Sequence, residues 1–361
     1  MYSVSILNQY LPPSGVYRYA NDIHKSVKGS RLYTFLYGLH RSKLPQYSEG
    51  NYVEGRFNYL RKLNKLLPNY AHSDFIRELE KSDLHESLIH YASPMIPLKI
   101  SPASGIVTIH DPPSILFDSD LFENGNNHGW NVIQSKYQKR YFNSFKKYSN
   151  VIAVSNYVKE LLLQEGFEDN IKVVYPCISK TFKFQPAKKL IKEKLGIPMD
   201  KICVLSVSSN LKRKNLSVVR DTMELLGSKF KLIRIGASLT SNDLSFSNID
   251  YEMLNLIYNA CDVMLFPSLY EGFGNPLVEA FATGLPVVAS DIEVFRETSG
   301  GNAAILVDPK DPASLASGVR TALESSDDLI RKGLKRAERF SFERFGREMN
   351  EYYNGIISSM N

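Results

Sequence analysis

Two glutamates flank a glycine-rich turn in the second half of the chain, and their spacing points to chemistry more directly than any other pattern. In "YEGFGNPLVEAF", Glu271 and Glu279 lie eight residues apart, with Gly272, Phe273 and Gly274 between them. Glycines let the backbone approach a ligand closely, and carboxylates accept hydrogen bonds from hydroxyl groups. The segment therefore predicts a site for a ligand that carries hydroxyl groups.

A short helix is predicted to follow this turn. The strand "CDVMLFPS" precedes it, and Asn275 and Pro276 read as the N-cap and first residue of a helix that Gly284 ends. The first backbone amides of a helix have no partner within the helix and can bind a phosphate. The amides around Gly274 to Leu277 are therefore expected to face a phosphate.

Carboxylates beside a phosphate make electrostatic sense if they bind hydroxyl groups instead. Glu279 is then expected to accept hydrogen bonds from a ribose diol, and Glu271 from a sugar. A nucleotide sugar combines the phosphate, the diol and the sugar. Two glutamates at this spacing are weak evidence when taken alone.

Short apolar strands alternate with amphipathic helices along the chain, which is typical of parallel sheets with crossover helices. Strands are predicted at 2–8, 30–38, 86–93, 104–111 and 150–155, and then at 201–209, 229–238, 261–268, 285–291 and 303–308. The segment 173–198 combines prolines with a lysine run and is predicted to link the two sets. The expected fold class is therefore α/β, with two doubly wound units.

Length and composition indicate an ordinary globular protein of about two domains. The chain has 361 residues, of which 43% are apolar and 23% charged, and a net charge of +6. It contains no run of about 18 apolar residues and no signal-peptide pattern, so a cytoplasmic protein is expected. Cys177, Cys203 and Cys261 lack metal-ligand spacing and predict buried thiols. The charge suits an anionic substrate or a membrane surface and does not require nucleic acid.

The segment "YEGFGNPLVEAFATGLPVVASD" resembles the donor-site signature of the GT-B glycosyltransferases of retaining family 4, also called glycosyl transferases group 1, with Glu271 and Glu279 ending its E-x7-E motif. The segments "VTIHDPPSILF", "IAVSNYVKELL" and "VSSNLKRKNL" are similar to further motifs of that family. The resemblance implies two Rossmann-like domains that face each other across a cleft. The expected division is an acceptor-side domain at 1–180, a nucleotide-sugar-binding domain at 181–340, and a helix at 341–361 that crosses back to the first domain.

The resemblance also implies roles for individual residues. Arg213 and Lys214 would neutralise the diphosphate as the sugar leaves. The family often carries a Gly-Arg pair at the end of the preceding strand, where this chain has Ser208 and Ser209. Whether Lys212 or Arg213 supplies the missing charge stays open at this point.

In the first half, the resemblance implies that His110 contacts the sugar and the leaving group. All seven histidines precede residue 129, so an imidazole in the chemistry would come from the first domain. Gly15 matches the family's glycine loop, although Ser14 and Tyr17 replace residues that are commonly glycine. The predicted catalytic residues are His110, Glu271, Arg213 and Lys214, and the predicted donor-binding residues are Gly15, Ser209, Arg213, Lys214, Glu271, Gly272, Phe273, Gly274, Asn275, Pro276, Leu277 and Glu279.

Two other features have competing interpretations. Asp118 and Asp120 in "FDSD" have the spacing by which another glycosyltransferase fold holds a metal, but they follow the His-Asp loop and are predicted to form a polar loop. No metal site and no cofactor are predicted. The segment 130–150 interleaves aromatic residues with lysines and arginine, so it either lies on an anionic membrane or packs its aromatic side chains inward.

The sequence therefore predicts a metal-independent hexosyltransferase that moves a sugar, with retention of configuration, from a UDP- or GDP-hexose donor to a hydroxyl group. The acceptor would be a glycan, a lipid-linked molecule or a small molecule, as in polysaccharide or glycoconjugate biosynthesis. Peripheral contact with the inner face of the cell membrane is an open alternative for its location. A sugar-nucleotide epimerase and a non-catalytic nucleotide-binding subunit remain as alternative functions. An NAD-dependent dehydrogenase is disfavoured because "LPPSGVYRYA" lacks the G-x-G-x-x-G pattern.

Overall fold

The computed structural model describes residues 3–8, 14–36, 51–54, 87–92, 105–112 and 143–360. These residues divide into two compact units. The first unit contains the described residues up to Cys177 and the terminal helix that starts at Phe342, and the second contains Ile178–Ser341. Within the described ranges, no helix is long and apolar enough to cross a membrane.

Seven parallel strands form the described sheet of the first unit, in the order β3-β2-β1-β4-β5-β6-β7. They are β1 (Ser3–Asn8), β2 (Arg31–Leu36), β3 (Asn51–Glu54), β4 (Ser87–Tyr91), β5 (Gly105–Ile109), β6 (Asn150–Ala153) and β7 (Ile171–Val173). Two of the helices in this unit are α1 (Gly15–Ser26) and α2 (Asn156–Gln164). The strand order reverses between β1 and β4, as in a doubly wound sheet.

The terminal helix, α10 (Phe342–Met360), completes the core of the first unit. Its buried residues Phe345, Met349 and Tyr353 recur every four positions, so they lie on one face of the helix. This face packs with α1 and with the apolar residues of β1, β4 and β5 in a single cluster. The first unit is therefore built from two stretches of chain that are distant in sequence.

Six parallel strands form the sheet of the second unit, in the order β10-β9-β8-β11-β12-β13. They are β8 (Ile202–Val207), β9 (Phe230–Ile235), β10 (Leu244–Phe246), β11 (Val263–Phe266), β12 (Val287–Ser290) and β13 (Ile305–Val307). The helices are α3 (Lys188–Lys194), α4 (Leu216–Leu226), α5 (Tyr251–Ala260), α6 (Asn275–Ala282), α7 (Glu293–Ser299), α8 (Pro312–Glu324) and α9 (Ser326–Ala337). Here the strand order reverses between β8 and β11.

Each strand predicted from the sequence corresponds to an observed strand, whereas β3, β7 and β10 were missed. β7 and β10 have only three residues each and are partly exposed, so they lack a clear apolar pattern. The predicted linker at 173–198 contains the last residue of β7 and the whole of α3. All three cysteines are buried and form no disulfide, as predicted.

Candidate active site

The predicted site residues of the second unit lie in the loops that follow β8 and β11. After β8, the chain passes Ser208 and reaches a short 3-10 helix, Lys212–Lys214; after β11, it runs through residues 267–274 into α6. The amide of Leu269 donates a hydrogen bond to the Arg213 carbonyl (2.7 Å) and joins the two loops. Doubly wound sheets bind ligands where the strand order reverses, which is between these two strands.

Glu271 forms an ion cluster with both basic residues of the other loop. Its Oε2 accepts a hydrogen bond from Arg213 Nη1 (2.9 Å), and its Oε1 accepts one from Lys214 Nζ. Arg213 Nη1 also donates to the Tyr270 carbonyl (3.0 Å). All three charged side chains are nearly buried: Arg213 is 13% exposed, Lys214 10% and Glu271 9%. Their charges therefore interact with little screening by water.

The Glu271 carboxyl stays ionised at neutral pH beside two basic side chains. Burial alone would raise the pKa of the Glu271 carboxyl, but the Lys214 and Arg213 charges lower that pKa below its usual value. Two cations and one anion leave a net positive charge beside the loop that leads into α6. An arriving phosphate can share the two cations with Glu271, which holds them in position before the ligand binds.

Helix α6 begins one residue earlier than an Asn275 N-cap would require, so that prediction is wrong. Gly274 is the N-cap, with a φ of 93° in the left-handed region, and Asn275 is the first helical residue. A Cβ on Gly274 would lie 2.7 Å from Cε1 of Phe295, so the turn also needs the missing side chain. Asn275 Oδ1 is buried and has no hydrogen-bond partner in the described part of the chain.

The end of α6 agrees with the prediction. Gly284 has a φ of 66°, and the amide of Leu285 donates to the Ala280 carbonyl (2.9 Å), which is the hydrogen bond of a Schellman motif. The helix thus has eight residues between a glycine start and a glycine stop. The prediction that the amides up to Leu277 face a ligand is wrong in part, because the Leu277 amide donates to the Gly274 carbonyl (2.9 Å) and Pro276 has no amide hydrogen. The amides of Gly274 and Asn275 lie directly after the residues around Glu271.

Glu279 lies on the buried side of α6 and has a neutral partner. Its carboxylate Oε2 accepts a hydrogen bond from the Tyr258 hydroxyl (2.8 Å), and only 3% of Glu279 is exposed. Tyr258 belongs to α5 and was not singled out from the sequence, where it is one of several apolar and aromatic residues in "YEMLNLIYNA". Glu271 is therefore paired with two cations, whereas the described partner of Glu279 is a neutral hydroxyl.

A buried arginine at the same edge of the sheet was also missed from the sequence. Arg234 in β9 is fully buried, and its Nη2 donates to the Ser208 carbonyl (2.6 Å). Ser208 Oγ is buried without a hydrogen-bond partner among the described residues, whereas Ser209 and Lys212 are exposed. The only sequence signal for Arg234 is a charged residue among the apolar residues "LI" and "I" at the end of the strand "FKLIRI".

His110 follows β5 in the first unit and is held in one tautomer. Its Nε2 donates to the Ala92 carbonyl (2.8 Å), and its ring stands edge-on to Tyr19 at 4.9 Å between ring centres. Burial lowers the pKa of His110 although the Ala92 carbonyl and the Asp111 charge raise it. A carbonyl only accepts, so Nε2 carries the hydrogen and the neutral ring leaves Nδ1 as an acceptor.

A buried hydrogen-bond network lies beside His110. The ring of His90 bonds to Thr108 Oγ1 through Nε2 (2.8 Å) and to the Tyr353 hydroxyl through Nδ1 (2.6 Å), and Thr108 Oγ1 also contacts the Tyr19 hydroxyl (3.2 Å). Burial lowers the pKa of His90 to about 3. The network connects β4, β5, α1 and α10, and through Tyr19 it reaches the ring of His110.

The predicted glycine loop forms the start of α1. Ser14 is the N-cap, and its hydroxyl accepts a hydrogen bond from the Tyr17 amide (3.1 Å). Gly15 is the exposed first residue of the helix, whereas the Tyr17 side chain is buried.

Several predicted features lie outside the described residues. These are Asp118, Asp120 and the part of the basic and aromatic segment that contains Trp130, Lys136, Lys139 and Arg140. At the described end of that segment, Phe145 and Tyr148 are buried and stack edge-on against Tyr91. Among the described ranges, no three metal-ligating side chains come together.

Comparison with known proteins gives a family match over the part of the chain that contains these loops. Residues 187–340 match the family described as Glycosyl transferases group 1. The O-antigen chain mannosyltransferase RfbU of Salmonella typhimurium is 26% identical over 228 residues, which cover 57% of this chain and 61% of that protein. The putative teichuronic acid biosynthesis glycosyltransferase TuaC of Bacillus subtilis is 23% identical over 260 residues, which cover 68% of this chain and 64% of that protein. The chain thus aligns with less than two thirds of either relative's length.

Solved structures share the fold over nearly the whole chain. Sucrose-phosphate synthase from Thermosynechococcus elongatus has a TM-score of 0.78 at 18% identity and covers 99% of this chain and 100% of its own. HepE from Anabaena, solved with UDP and glucose, has a TM-score of 0.76 at 18% identity. The match covers 98% of this chain and 100% of the HepE chain. The predicted fold class, two doubly wound α/β domains of the GT-B type, is confirmed.

Proposed function

We propose that the protein is a retaining glycosyltransferase whose second domain binds the nucleotide-sugar donor. The observation that carries the proposal is the Arg213–Lys214–Glu271 cluster at the strand-order reversal, which joins the loop after β8 to the loop that leads into α6. Cations and helix amides suit a diphosphate, and the two carboxylates suit hydroxyl groups. The family match over this domain supports the same interpretation.

The donor is proposed to be a UDP- or GDP-hexose and the acceptor a hydroxyl group of a glycan or a lipid-linked molecule. Support comes from relatives named as O-antigen and teichuronic acid glycosyltransferases, and from a structural neighbour solved with UDP and glucose. The basic and aromatic segment 130–150 remains a candidate for peripheral membrane contact during such a reaction.

The proposed reaction is a displacement at the anomeric carbon on one face of the sugar. The bond from that carbon to the diphosphate oxygen breaks, the acceptor oxygen forms the new bond, and the acceptor's proton passes to the departing phosphate oxygen. Arg213, Lys214 and the amides of Gly274 and Asn275 at the start of α6 stabilise the negative charge that grows on the leaving group. The transfer is proposed to need no metal ion, because these cations provide the charge.

His110 is proposed to accept a hydrogen bond from a substrate hydroxyl through Nδ1. Its lowered pKa and its Nε2–H bond to Ala92 keep Nδ1 unprotonated at neutral pH. The imidazole therefore acts as an acceptor and not as a general acid. Replacement of His110 by Asn should lower kcat while nucleoside diphosphate affinity stays unchanged.

The proposal is tested by incubating the protein with a panel of UDP-, GDP- and ADP-hexoses and measuring diphosphate release, with and without simple glycan acceptors. One donor should be consumed only when an acceptor is present. NMR should show that the new glycosidic bond has the same anomeric configuration as the sugar–diphosphate bond of the donor. Donor isomerisation without acceptor would favour the epimerase. Binding of a diphosphate without any turnover would favour a non-catalytic subunit.

The same assay in EDTA tests the proposed independence from metal ions. Activity should stay within about twofold of the untreated protein. A loss of more than about tenfold that magnesium or manganese restores would contradict the charge role given to Arg213 and Lys214, since each tenfold change corresponds to about 1.4 kcal/mol.

A further inference from the structure

Arg234 is a buried cation with no carboxylate partner among the described residues. Its guanidinium donates to three backbone carbonyls: Nη1 to Ser206 (3.1 Å) and Ile235 (2.6 Å), and Nη2 to Ser208 (2.6 Å). The acid that acts on it electrostatically, Asp243, accepts its own hydrogen bonds from Ser238 and from the amides of residues 239 and 240. Nε is buried without a partner in the described part of the chain.

Such a charge is costly to bury, so its retention calls for a physical reason. Burial lowers the pKa of Arg234 to about 10, although Asp243 raises it, and the guanidinium therefore remains protonated at neutral pH. An apolar side chain of similar volume would fill the same space in β9 without this desolvation cost. The three carbonyls alone do not require a full positive charge, because neutral donors satisfy carbonyl groups.

The position of the three carbonyls suggests what the charge is for. Two of them, those of Ser206 and Ser208, lie at the carboxyl end of β8, which borders the strand-order reversal. Carbonyl oxygens at a strand end present partial negative charge, which would repel a phosphate bound there. The loop that starts at Ser208 carries Arg213 and Lys214. A cation that binds these carbonyls offsets their charge and fixes the start of that loop.

The neighbouring glycine shows how tightly the guanidinium is held. Gly236 has a φ of 128°, and a Cβ on it would lie 2.6 Å from the Ser208 carbonyl oxygen and 2.9 Å from Arg234 Nη2. Only a residue without a side chain lets the guanidinium reach Ser208. The arginine and the glycine therefore act as one unit that shapes the end of β8.

We propose that Arg234 is a positioning residue for the donor's diphosphate: it offsets the strand-end carbonyls of β8, fixes the loop that begins at Ser208, and raises the positive potential where the phosphates bind. This inference rests on the proposed nucleotide-sugar function. It assigns a charge-dependent role in binding to a residue that has no contact with the Arg213–Lys214–Glu271 cluster among the described hydrogen bonds and ion pairs.

The test compares wild type with Arg234→Met and Arg234→Lys by calorimetric titration with UDP, GDP and the matching free nucleosides. Arg234→Met should weaken diphosphate binding by about 10- to 100-fold and leave nucleoside binding within about twofold. Arg234→Lys keeps the charge and should fall between Arg234→Met and wild type. The exposed Arg220→Met in the same domain is the matched control and should bind as wild type does.

A second variant displaces the guanidinium without removing its charge. Gly236→Ala should also weaken diphosphate binding selectively, whereas Gly227→Ala, at a φ of 84° with no atom near the added Cβ, tests backbone strain alone and should not. These variants decide the question if Arg234→Met does not fold. Equal losses for nucleoside and diphosphate, or no loss in either, would overturn the inference while leaving the proposed function intact. Absence of any nucleotide binding by wild type would overturn the proposed function itself.

Discussion

Glu271 and Glu279 occupy equivalent-looking positions in the sequence, but their partners give them different chemistry. Glu271 is paired with Arg213 and Lys214, whereas Glu279 accepts a hydrogen bond from the neutral Tyr258 hydroxyl. Removal of one negative charge should therefore have opposite effects on a bound diphosphate. In the proposed donor site, its removal at Glu271 would increase the positive charge beside the phosphates, and its removal at Glu279 would weaken an acceptor for the ribose.

Glu271→Gln should tighten binding of the free nucleoside diphosphate while turnover falls. Loss of one nearby unit charge in a partly buried site is worth on the order of 1 to 2 kcal/mol, or about tenfold in affinity. Stability without ligand should fall, because two buried cations lose their counterion. Calorimetric titration and thermal unfolding measure both effects. A weaker diphosphate complex would contradict the charge-sharing role.

Glu279→Gln should weaken nucleoside and nucleoside diphosphate binding alike, by about 10- to 100-fold, since a hydrogen bond to a charged group is worth roughly 1.5 to 3 kcal/mol. KM should rise, with a smaller change in kcat. Tyr258→Phe is the matched control, because it removes the hydroxyl 2.8 Å from the carboxylate but keeps the charge. The ribose assignment fails if the Gln variant binds the nucleoside normally.

At the scale of elements, the start of α6 depends on Gly274, which needs a left-handed backbone conformation and has no room for a side chain. Gly274→Ala should destabilise the second domain by roughly 2 to 4 kcal/mol, combining left-handed strain with a collision against Phe295. Diphosphate affinity should fall as the helix start moves. Gly301→Ala, at a φ of 77° with open space around the added Cβ, should cost only about 1 kcal/mol and bind normally. Urea unfolding and titration compare the two variants.

The buried network that joins β4, β5, α1 and α10 predicts a specific dependence of stability on pH. Because the pKa of His90 falls from 6.5 to about 3 on folding, the unfolded chain binds its proton first as the pH drops. His90 therefore removes about 2 kcal/mol of stability between pH 7 and pH 5. His90→Gln lacks this titration.

Urea unfolding of wild type and His90→Gln at both pH values checks this prediction. The stability lost between pH 7 and pH 5 should be about 2 kcal/mol smaller in the variant. Burial raises the pKa of Asp22 to about 6, although the Arg18 charge lowers it. Asp22 therefore adds stability as the pH falls, which is opposite to the effect of His90. Because Asp22 is present in both proteins, its contribution cancels in the comparison. An equal loss in the two proteins would mean that folding does not lower the pKa of His90.

Elements with a strong apolar pattern were predictable from the sequence, and those defined by their neighbours were not. The ten predicted strands occur, but β7 and β10 are short edge strands whose pairing is set by the adjacent β6 and β9. The N-cap of α6 was misplaced because an Asn-Pro pair is a good start signal on its own. The close approach of Phe295 to Gly274 requires a glycine at the N-cap position. This contact is between α7 and the start of α6, so the local sequence does not show it.

At the scale of the whole molecule, the sequence predicted which loops carry the candidate site but not the pairings within it. Motif residues far apart in the chain meet because β8 and β11 are neighbours at the strand-order reversal. The pairing of Glu271 with Arg213 and Lys214 follows from that neighbourhood. Arg234 and Tyr258 were missed because they lie within ordinary elements, where one polar residue carries no signal before the fold is known.

The central claim, that this cluster binds the diphosphate of a nucleotide sugar, is tested most directly by removing the cluster as a unit. The triple variant Arg213→Gln, Lys214→Gln, Glu271→Gln removes the two cations together with their shared carboxylate, so none of the three positions is left as an unpaired buried charge and the domain should remain folded. Calorimetric titration with UDP and GDP should find one site in wild type and at least about 100-fold weaker binding in the variant, with nucleoside affinity little changed. Equal diphosphate affinity in the two proteins would contradict the account.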